Sequence, residues 1–279
     1  MSKPNVLNAN EIPPKWNVHQ WLSAIDEQFR KHDYLQARNL ILQALPIFPD
    51  LSVLRDRLLM VDSRWSEPVA SRGIHLVTPS ERDFSYLQQC YANEAFMQQL
   101  LPMGRKKQSA EAILQALRHS EFSVAHYRSM HRIIKKEVHP NPEQPSSHFS
   151  LKPIGLASLV DIQIAHRRAE LLVGIPDQAE RQRASSAATM LVMDLAFNHI
   201  GLHKLTTFVL ANNPHSQRSN VAIGFIQEGL RRQHLCDPQT RQWVDCYENG
   251  IVADDFRRNT FIARVSKRLL GRDITVKPV

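Results

Sequence analysis

Two short stretches in the second half of the chain combine side chains that could bind an anion or cap a turn. Arg181 and Arg183 come just before a helix that is predicted from Ala184 to His199. The first N–H groups of a helix have no partners within it, and the helix dipole is positive there, so such a start attracts phosphate groups. The second stretch, Asn213–Ser216 (NPHS), is by itself typical of a turn in which Asn or Ser caps a helix.

Glu170 is the carboxylate that stands out in a buried setting. It is the second residue of an apolar run, Ala169–Ile175 (AELLVGI), which predicts a strand. Alternation along a strand places Glu170 on the same face as Leu172. A carboxylate there either exchanges protons or pairs with a cation, which is Arg167, Arg168 or another basic residue.

Several other chemistries are disfavoured. The cysteines, Cys90, Cys236 and Cys246, are few and widely spaced, so we expect a reducing cytoplasm and neither a disulfide scaffold nor a Cys-rich zinc site. The 13 histidines form no HExxH motif and no close Cys/His pairing, so no metal is predicted. No apolar run approaches the ~18–20 residues that span a bilayer, and residues 1–16 lack the features of a secretory signal.

The composition predicts a folded and mildly basic protein. Of 279 residues, 43% are hydrophobic and 22% are charged, and 35 basic against 27 acidic residues give a net charge of +8. That charge permits an acidic partner such as a phosphorylated cofactor, a nucleic acid or an acidic protein face. The pairs Arg231-Arg232 and Arg257-Arg258 are short, which favours solvated faces, although nucleic-acid binding stays open.

Residues 1–68 are predicted to form an all-helical segment after an extended arm at 1–15. Apolar residues recur one turn apart from Trp21 to Phe29, a second helix covers Tyr34–Leu45, and a third is expected to begin after Asp50. The string DYLQARNLILQALPIFPD resembles a tetratricopeptide-type hairpin, of which about one and a half units are present. The segment is either an appendage that packs on its neighbour or a separate docking module.

The middle of the chain is less regular. A short strand is predicted at Ile74–Val77, and a helix capped by Thr78 follows and runs to about Leu100. Another helix is expected at Ser109–Ser120. The stretch Phe122–Val138 suits either a strand or a helix, and the proline-bearing stretch His139–Ser150 predicts a loop.

From residue 154 the pattern becomes that of an α/β protein with a mixed sheet. The predicted order is a hairpin, a long helix closed by Gly201, a buried strand, a short helix and a later strand. The strands and the short helix are expected at Ile154–Ile164, Ala169–Ile175, Lys204–Leu210, Ser216–Ile223 and Trp243–Tyr247.

Three strings in this half carry a resemblance to a known family: IGLASLVDI…AHRRAELLVGIPD, MDLAFNHIGLHKLTTFVLANNPHSQRSNVAIGFIQEGLRR and WVD. In this order they resemble the GNAT acetyltransferase superfamily over roughly residues 72–265, most of all its ribosomal-protein N-terminal acetyltransferase branch. The resemblance implies a mixed, mostly antiparallel central sheet flanked by helices. We place this domain at residues 69–270, between the all-helical appendage (1–68) and a tail (271–279).

The resemblance also implies an acyl donor. Acetyl-CoA would lie in a V-shaped split between the strands Ala169–Ile175 and Lys204–Leu210, with its pyrophosphate at the start of the long helix. The donor-binding residues implied are Val173, Arg181, Arg183, Ala184, Ser185 and Asn213.

The phosphate-binding loop departs from the family's usual Gln/Arg-x-x-Gly-x-Gly/Ala pattern. Arg183 stands at the Gly position and Glu180 at the basic one; an alternative register places Ser185 at the Gly position. Glycine lets the backbone approach a phosphate without a Cβ atom in the way. The arginines Arg181 and Arg183 therefore either add contacts to the phosphates or mark a site that has lost its cofactor.

Within the resemblance, Glu170 would deprotonate the acceptor amine through a water molecule, and Ser216 would give a proton to the departing thiolate. The backbone N–H of Val173 would polarise the thioester carbonyl. The expected function is direct transfer of an acetyl group from acetyl-CoA to a primary amine, which belongs to a protein N-terminus, an amino sugar or another small amine. The alternatives are a non-catalytic binding module with this fold and an acetyltransferase that acts on an RNA-linked amine.

Overall fold

The structure is a computed structural model that describes residues 16–101, 109–118, 124, 128–139, 149–237 and 240–277. The chain divides into two compact units, Met1–Val61 and Asp62–Val279. The predicted N-terminal arm and most of the predicted loop His139–Ser150 lie outside the described residues.

The described part of the first unit is helical, with α1 (Val18–Arg30), α2 (Tyr34–Ala44) and α3 (Ser52–Met60). Asn17 begins α1 with a reciprocal cap: its side chain accepts from the N–H of Gln20, and the Gln20 side chain accepts from the N–H of Asn17. The unit has a hydrophobic core of its own. That core consists of Trp21, Ile25, Leu40, Ile41, Ala44 and Leu54.

The second unit is built on one eight-stranded sheet with the strand order β1-β2-β3-β4-β5-β6-β8-β7. Neighbouring strands are antiparallel except β5 and β6, which are parallel. The predicted mixed, mostly antiparallel sheet is therefore confirmed. The strands are β1 (Val69–Ser71), β2 (Ile74–Val77), β3 (Met130–Val138), β4 (Ser150–Gln163), β5 (Arg168–Gly174), β6 (Lys204–Leu210), β7 (Ile226–Cys236) and β8 (Trp243–Val252).

Helices cover both faces of the sheet. As a result, six successive residues of β4, 154–159, are all buried, although their side chains alternate between the two faces. Helices α4 (Phe84–Ala92), α5 (Glu94–Leu100) and α6 (Ala110–Arg118) pack on the face that carries Ile133 and Leu156. Helix α7 (Gln178–Asp194) contacts β2, β4 and β5 and covers the opposite face. The later helices are α8 (Pro214–Ala222), α9 (Ala253–Arg258) and α10 (Thr260–Leu270).

The end of the long helix follows the prediction. After α7 the chain makes a π-helical stretch, Leu195–Ile200, which Gly201 ends in the left-handed conformation with a φ of 79°. Glycine adopts this conformation without the steric cost that a Cβ atom brings.

The start of the helix after β2 differs from the prediction. Thr78 is not the cap, because its hydroxyl donates to the carbonyl of Ser66. The cap is Ser80, whose hydroxyl and N–H both donate to the Asp83 carboxylate. A 3₁₀ turn intervenes before α4, and Asn93 separates α4 from α5, so the predicted single helix is two helices.

The remaining differences concern strands and the C-terminal end. The stretch Phe122–Val138, which suited either state, contains β3, and the exposed strand β7 was not predicted. Ile274 and Thr275, beyond α10, are buried. Within the described part of the chain, every helix is too short or too polar to cross a bilayer.

Candidate active site

A split opens in the middle of the sheet between β5 and β6. The two strands pair only where Arg168–Glu170 lies beside Lys204–Thr206. Beyond this point β5 continues to Gly174 beside β4, and β6 continues to Leu210 beside β8. Both strands are fully described there, and they no longer pair with each other. The backbone groups facing the split can therefore pair with an extended ligand, as an added strand does at a sheet edge.

Helix α7 begins at Gln178, so the predicted start at Ala184 is wrong. Asp177 is the cap, because its side chain accepts from the N–H of Ala179 at 2.9 Å. The predicted loop before the helix is thus helical, and Arg181 lies in its first turn. Arg183 comes after it, still within the helix and exposed.

The donor-binding residues predicted near the start of α7 differ in their contacts and burial. Arg181 donates to the carbonyls of Ile175, at 2.7 Å, and Pro176, at 3.2 Å, and so ties the connection from β5 to α7. Ala184 is buried. Ser185 is half-buried, and its carbonyl accepts from the hydroxyl of Thr189 at 2.9 Å, as an ordinary helical position does.

Two lysines that contact the first turn of α7 were not predicted from the sequence. Lys136 and Lys152 are cross-strand partners on β3 and β4, and both donate to the Glu180 carboxylate, at 2.9 and 3.0 Å. These hydrogen bonds hold the pKa of Glu180 below its usual range. The long separation in sequence leaves no local signal for this cluster.

The start of α8 is the polar turn that the NPHS stretch predicted. The Asn213 side chain accepts from the N–H of Ser216 at 3.2 Å, and Pro214 occupies the first turn. Ser216 is half-buried. The chain passes from β6 to this turn through Ala211 and Asn212, so Asn213 and Ser216 follow the end of one strand that borders the split.

Glu170 lies where the pairing of β5 and β6 ends, opposite Thr206. Burial raises its pKa to about 7; the charge of Asp161 also raises it, and the charge of Arg231 lowers it. Arg168, a predicted partner, donates instead to Gln163 and Asp161. Glu170 is therefore a half-buried carboxylate that changes protonation near neutral pH, as a general base should.

The cation whose charge lowers the pKa of Glu170 is Arg231, which lies on the strand β7 that was not predicted. Arg231 pairs with Glu248 at 2.9 Å, and its guanidinium lies over the ring of Phe208, 4.5 Å from the centroid. The neighbouring thiol, Cys246, is buried, and burial raises its pKa. Arg231 was considered in the sequence only as one of a surface pair, and the structure gives it these partners within the protein.

Comparisons with known proteins fit this architecture. No protein-family model matches the chain. Among solved structures, RimJ of Mycobacterium smegmatis in complex with CoA-disulfide has a TM-score of 0.56 at 16% identity, covering 75% of this chain and 97% of that one. A GCN5-related N-acetyltransferase from Brucella melitensis has a TM-score of 0.54 at 16% identity, covering 73% and 86%. The chain has the GNAT acetyltransferase fold.

Two curated proteins are similar in sequence. Spermidine N(1)-acetyltransferase of Vibrio cholerae is 28% identical over 110 residues, which is 37% of this chain and 61% of that protein. AarF domain-containing kinase 1 of Drosophila melanogaster is 29% identical over 80 residues, 29% of this chain and 15% of that protein. The chain thus spans less than two thirds of the length of either relative.

Proposed function

We propose that this chain is an N-acetyltransferase that moves the acetyl group of acetyl-CoA directly to a primary amine. The observation that carries the proposal is the split between β5 and β6, with Glu170, of pKa about 7, where their pairing ends. A base that titrates near neutral pH beside a gap for an extended ligand is what direct transfer to an amine requires.

The residues around the split fit an acyl donor of extended shape and negative charge. The backbone of Val173 lies on the diverging part of β5, and Asn213 follows the end of β6. The start of α7 offers a positive helix end, with Arg181, Arg183, Ala184 and Ser185 in its first two turns. When bound, acetyl-CoA supplies an acetyl group activated as a thioester.

The chain's own groups divide the proton transfers. Glu170 takes a proton from the acceptor's ammonium group through a water molecule, which leaves the amine able to attack. The Val173 N–H donates a hydrogen bond to the carbonyl under attack. As the C–S bond breaks, Ser216 gives its hydroxyl proton to the departing thiolate and regains the proton that the attacking nitrogen loses on becoming an amide. The net products are an acetylated amine, a free thiol and the proton that Glu170 returns to solvent.

The acceptor we propose first is a protein N-terminus, in line with the ribosomal-protein branch that the AFNHIGLHK and NPHS strings resemble. The similarity to a spermidine acetyltransferase supports a second acceptor class, an aliphatic polyamine. Amino sugars and other small amines complete the panel to be tested.

One observation favours a different function, that of a non-catalytic binding module. The segment that would wrap the pyrophosphate is helical from Gln178, and Arg183 stands where the family's glycine is expected. A helix whose N–H groups are already paired offers fewer donors to a phosphate than an open loop does.

The two functions are separated by a transfer assay with radiolabelled acetyl-CoA. The acceptors are a peptide with a free N-terminus, spermidine and an amino sugar, and Glu170→Gln is run beside the wild type. Acetylation of any of these amines that is lost in Glu170→Gln supports the enzyme. A folded protein that neither binds acetyl-CoA nor acetylates any of these amines supports the binding module.

A further inference from the structure

We infer that four polar side chains form an amide clamp that positions the first turn of α8 for the acyl donor; this inference rests on the proposed function. The amide clamp consists of Thr207, Gln217, Asn220 and Asn249. It joins α8 to β6 and β8 on one side of the split. Its members are positioning residues, acting through Asn213 and Ser216.

The first reason is that α8 has little hydrophobic attachment. None of its nine residues, all of them described, is buried. Most helices of globular proteins are held by an apolar face. Helix α8 must therefore be held by something else, and polar contacts are what the structure provides.

The second reason is the geometry at Asn249, which is fully buried on β8. Its carbonyl oxygen accepts from the Gln217 amide at 2.8 Å, and its own amide donates to the Gln217 carbonyl oxygen at 3.0 Å. The Asn249 amide also reaches the hydroxyl of Thr207 at 3.4 Å. A buried amide with its partners satisfied fixes their arrangement, because leaving any of them unpaired is costly.

The third reason is that the remaining contact attaches α8 to the strand β6 at the edge of the split. Asn220 donates to the Thr207 hydroxyl at 2.9 Å, one helical turn beyond Gln217. Thr207 is the first β6 residue after the pairing with β5 ends. The amide clamp thus attaches α8 to the strand that borders the split, and Gln217 directly follows Ser216.

The amide clamp lies on the face of the sheet opposite Glu170, so it should affect the binding of the acyl donor and not that of the acceptor. Thr207 and Asn249 are cross-strand partners, and alternation puts them on the face opposite Glu170 and Thr206. Loosening the amide clamp should therefore weaken the use of acetyl-CoA and leave the acceptor's KM unchanged. General destabilisation of the fold would not separate the two substrates in this way.

The test uses the full chain with Gln217→Ala and with the double variant Gln217→Leu/Asn249→Leu. The double variant removes both amides and leaves neither partner unpaired, which protects folding. Ser219→Ala, an exposed change on the same helix, is the matched control. Asn198→Ala, in a separate polar network around Arg257, controls for lost stability.

We expect both amide-clamp variants to raise the KM for acetyl-CoA about tenfold, the effect of losing one or two net hydrogen bonds. The acceptor's KM should not change. Amide hydrogen exchange should speed up in α8 and not in α7. Both controls should keep the wild-type KM for acetyl-CoA, and Asn198→Ala should lower only the melting temperature.

Two results would overturn the inference. One is that the wild type is active and both amide-clamp variants have an unchanged KM for acetyl-CoA. This result would leave the proposed function intact. The other is unchanged hydrogen exchange in α8, which would mean that the amide clamp does not hold the helix. Failure of the proposed function looks different, because the wild type itself would then neither bind nor use acetyl-CoA.

Discussion

Replacing Glu170 by Gln separates the proposed catalytic role of this carboxylate from its cost to the stability of the fold. Burial raises the pKa of Glu170 from its ordinary value of 4.5 to about 7. Each pKa unit corresponds to about 1.4 kcal/mol, so ionising Glu170 in the folded protein lowers the free energy of unfolding by about 3 kcal/mol relative to a neutral side chain. Gln has the shape of the protonated acid and carries no charge.

The sign of the pH dependence follows from which state loses its proton first. The folded pKa lies above the unfolded one, so the unfolded chain ionises first as the pH rises. The wild type therefore loses stability between about pH 4.5 and about pH 7. Glu170→Gln lacks this loss and should match the wild type near the acid end, then exceed it by about 3 kcal/mol above about pH 8.

Urea unfolding of both proteins at several pH values measures this difference, with Glu228→Gln on the exposed strand β7 as the control. In the transfer assay, wild-type turnover should rise through about pH 7. Turnover of Glu170→Gln should be lower by about 100-fold, the usual effect of losing a general base. A stability difference that does not change with pH, or full turnover in Glu170→Gln, would refute the reasoning.

Two further changes test the surroundings of the site, and a third tests the stability of the fold. Ser216→Ala should lower turnover about tenfold and leave the KM for acetyl-CoA unchanged in steady-state kinetics; a raised KM alone would assign Ser216 to binding. Arg231→Met should move the rise of turnover to higher pH, because the charge of Arg231 lowers the pKa of Glu170; an unmoved pH profile would contradict this. Arg132→Met should lower the free energy of unfolding in urea by about 3 kcal/mol, because the buried guanidinium donates to the carbonyls of residues 65–67. A loss below about 1 kcal/mol would mean that water replaces it.

The parts of the fold that could be predicted are those with a local signal. The hairpin of β4 and β5 and the buried strand β6 follow from apolar runs separated by polar turns. Gly201 ends the long helix because glycine suits the left-handed conformation there. These features depend on neighbours in sequence, so the sequence pattern contains them.

The parts that could not be predicted depend on contacts between distant residues. Strand β7 is mostly exposed, and its charged residues hide the alternation that marks a half-buried strand. The early start of α7 rests on the Asp177 cap, in a stretch where the resemblance led us to expect an open loop.

The candidate site divides in the same way. Asn213 and Ser216 were predicted because they match a family pattern, and Glu170 because it is a carboxylate early in an apolar strand. The lysines that bind Glu180 and the Gln217–Asn249 pair were not, because strands and helices far apart in the chain bring them together. Nothing about those residue types in isolation indicates their partners.

Calorimetric titration of the wild type with acetyl-CoA, beside Arg183→Gly, tests the central claim most directly. If the start of α7 and the split form a working donor site, the wild type binds with micromolar affinity and the glycine variant binds no more than a few times tighter. If the wild type gives no binding heat and Arg183→Gly restores binding, the helix start is blocked, and the proposal of acetyl transfer is wrong.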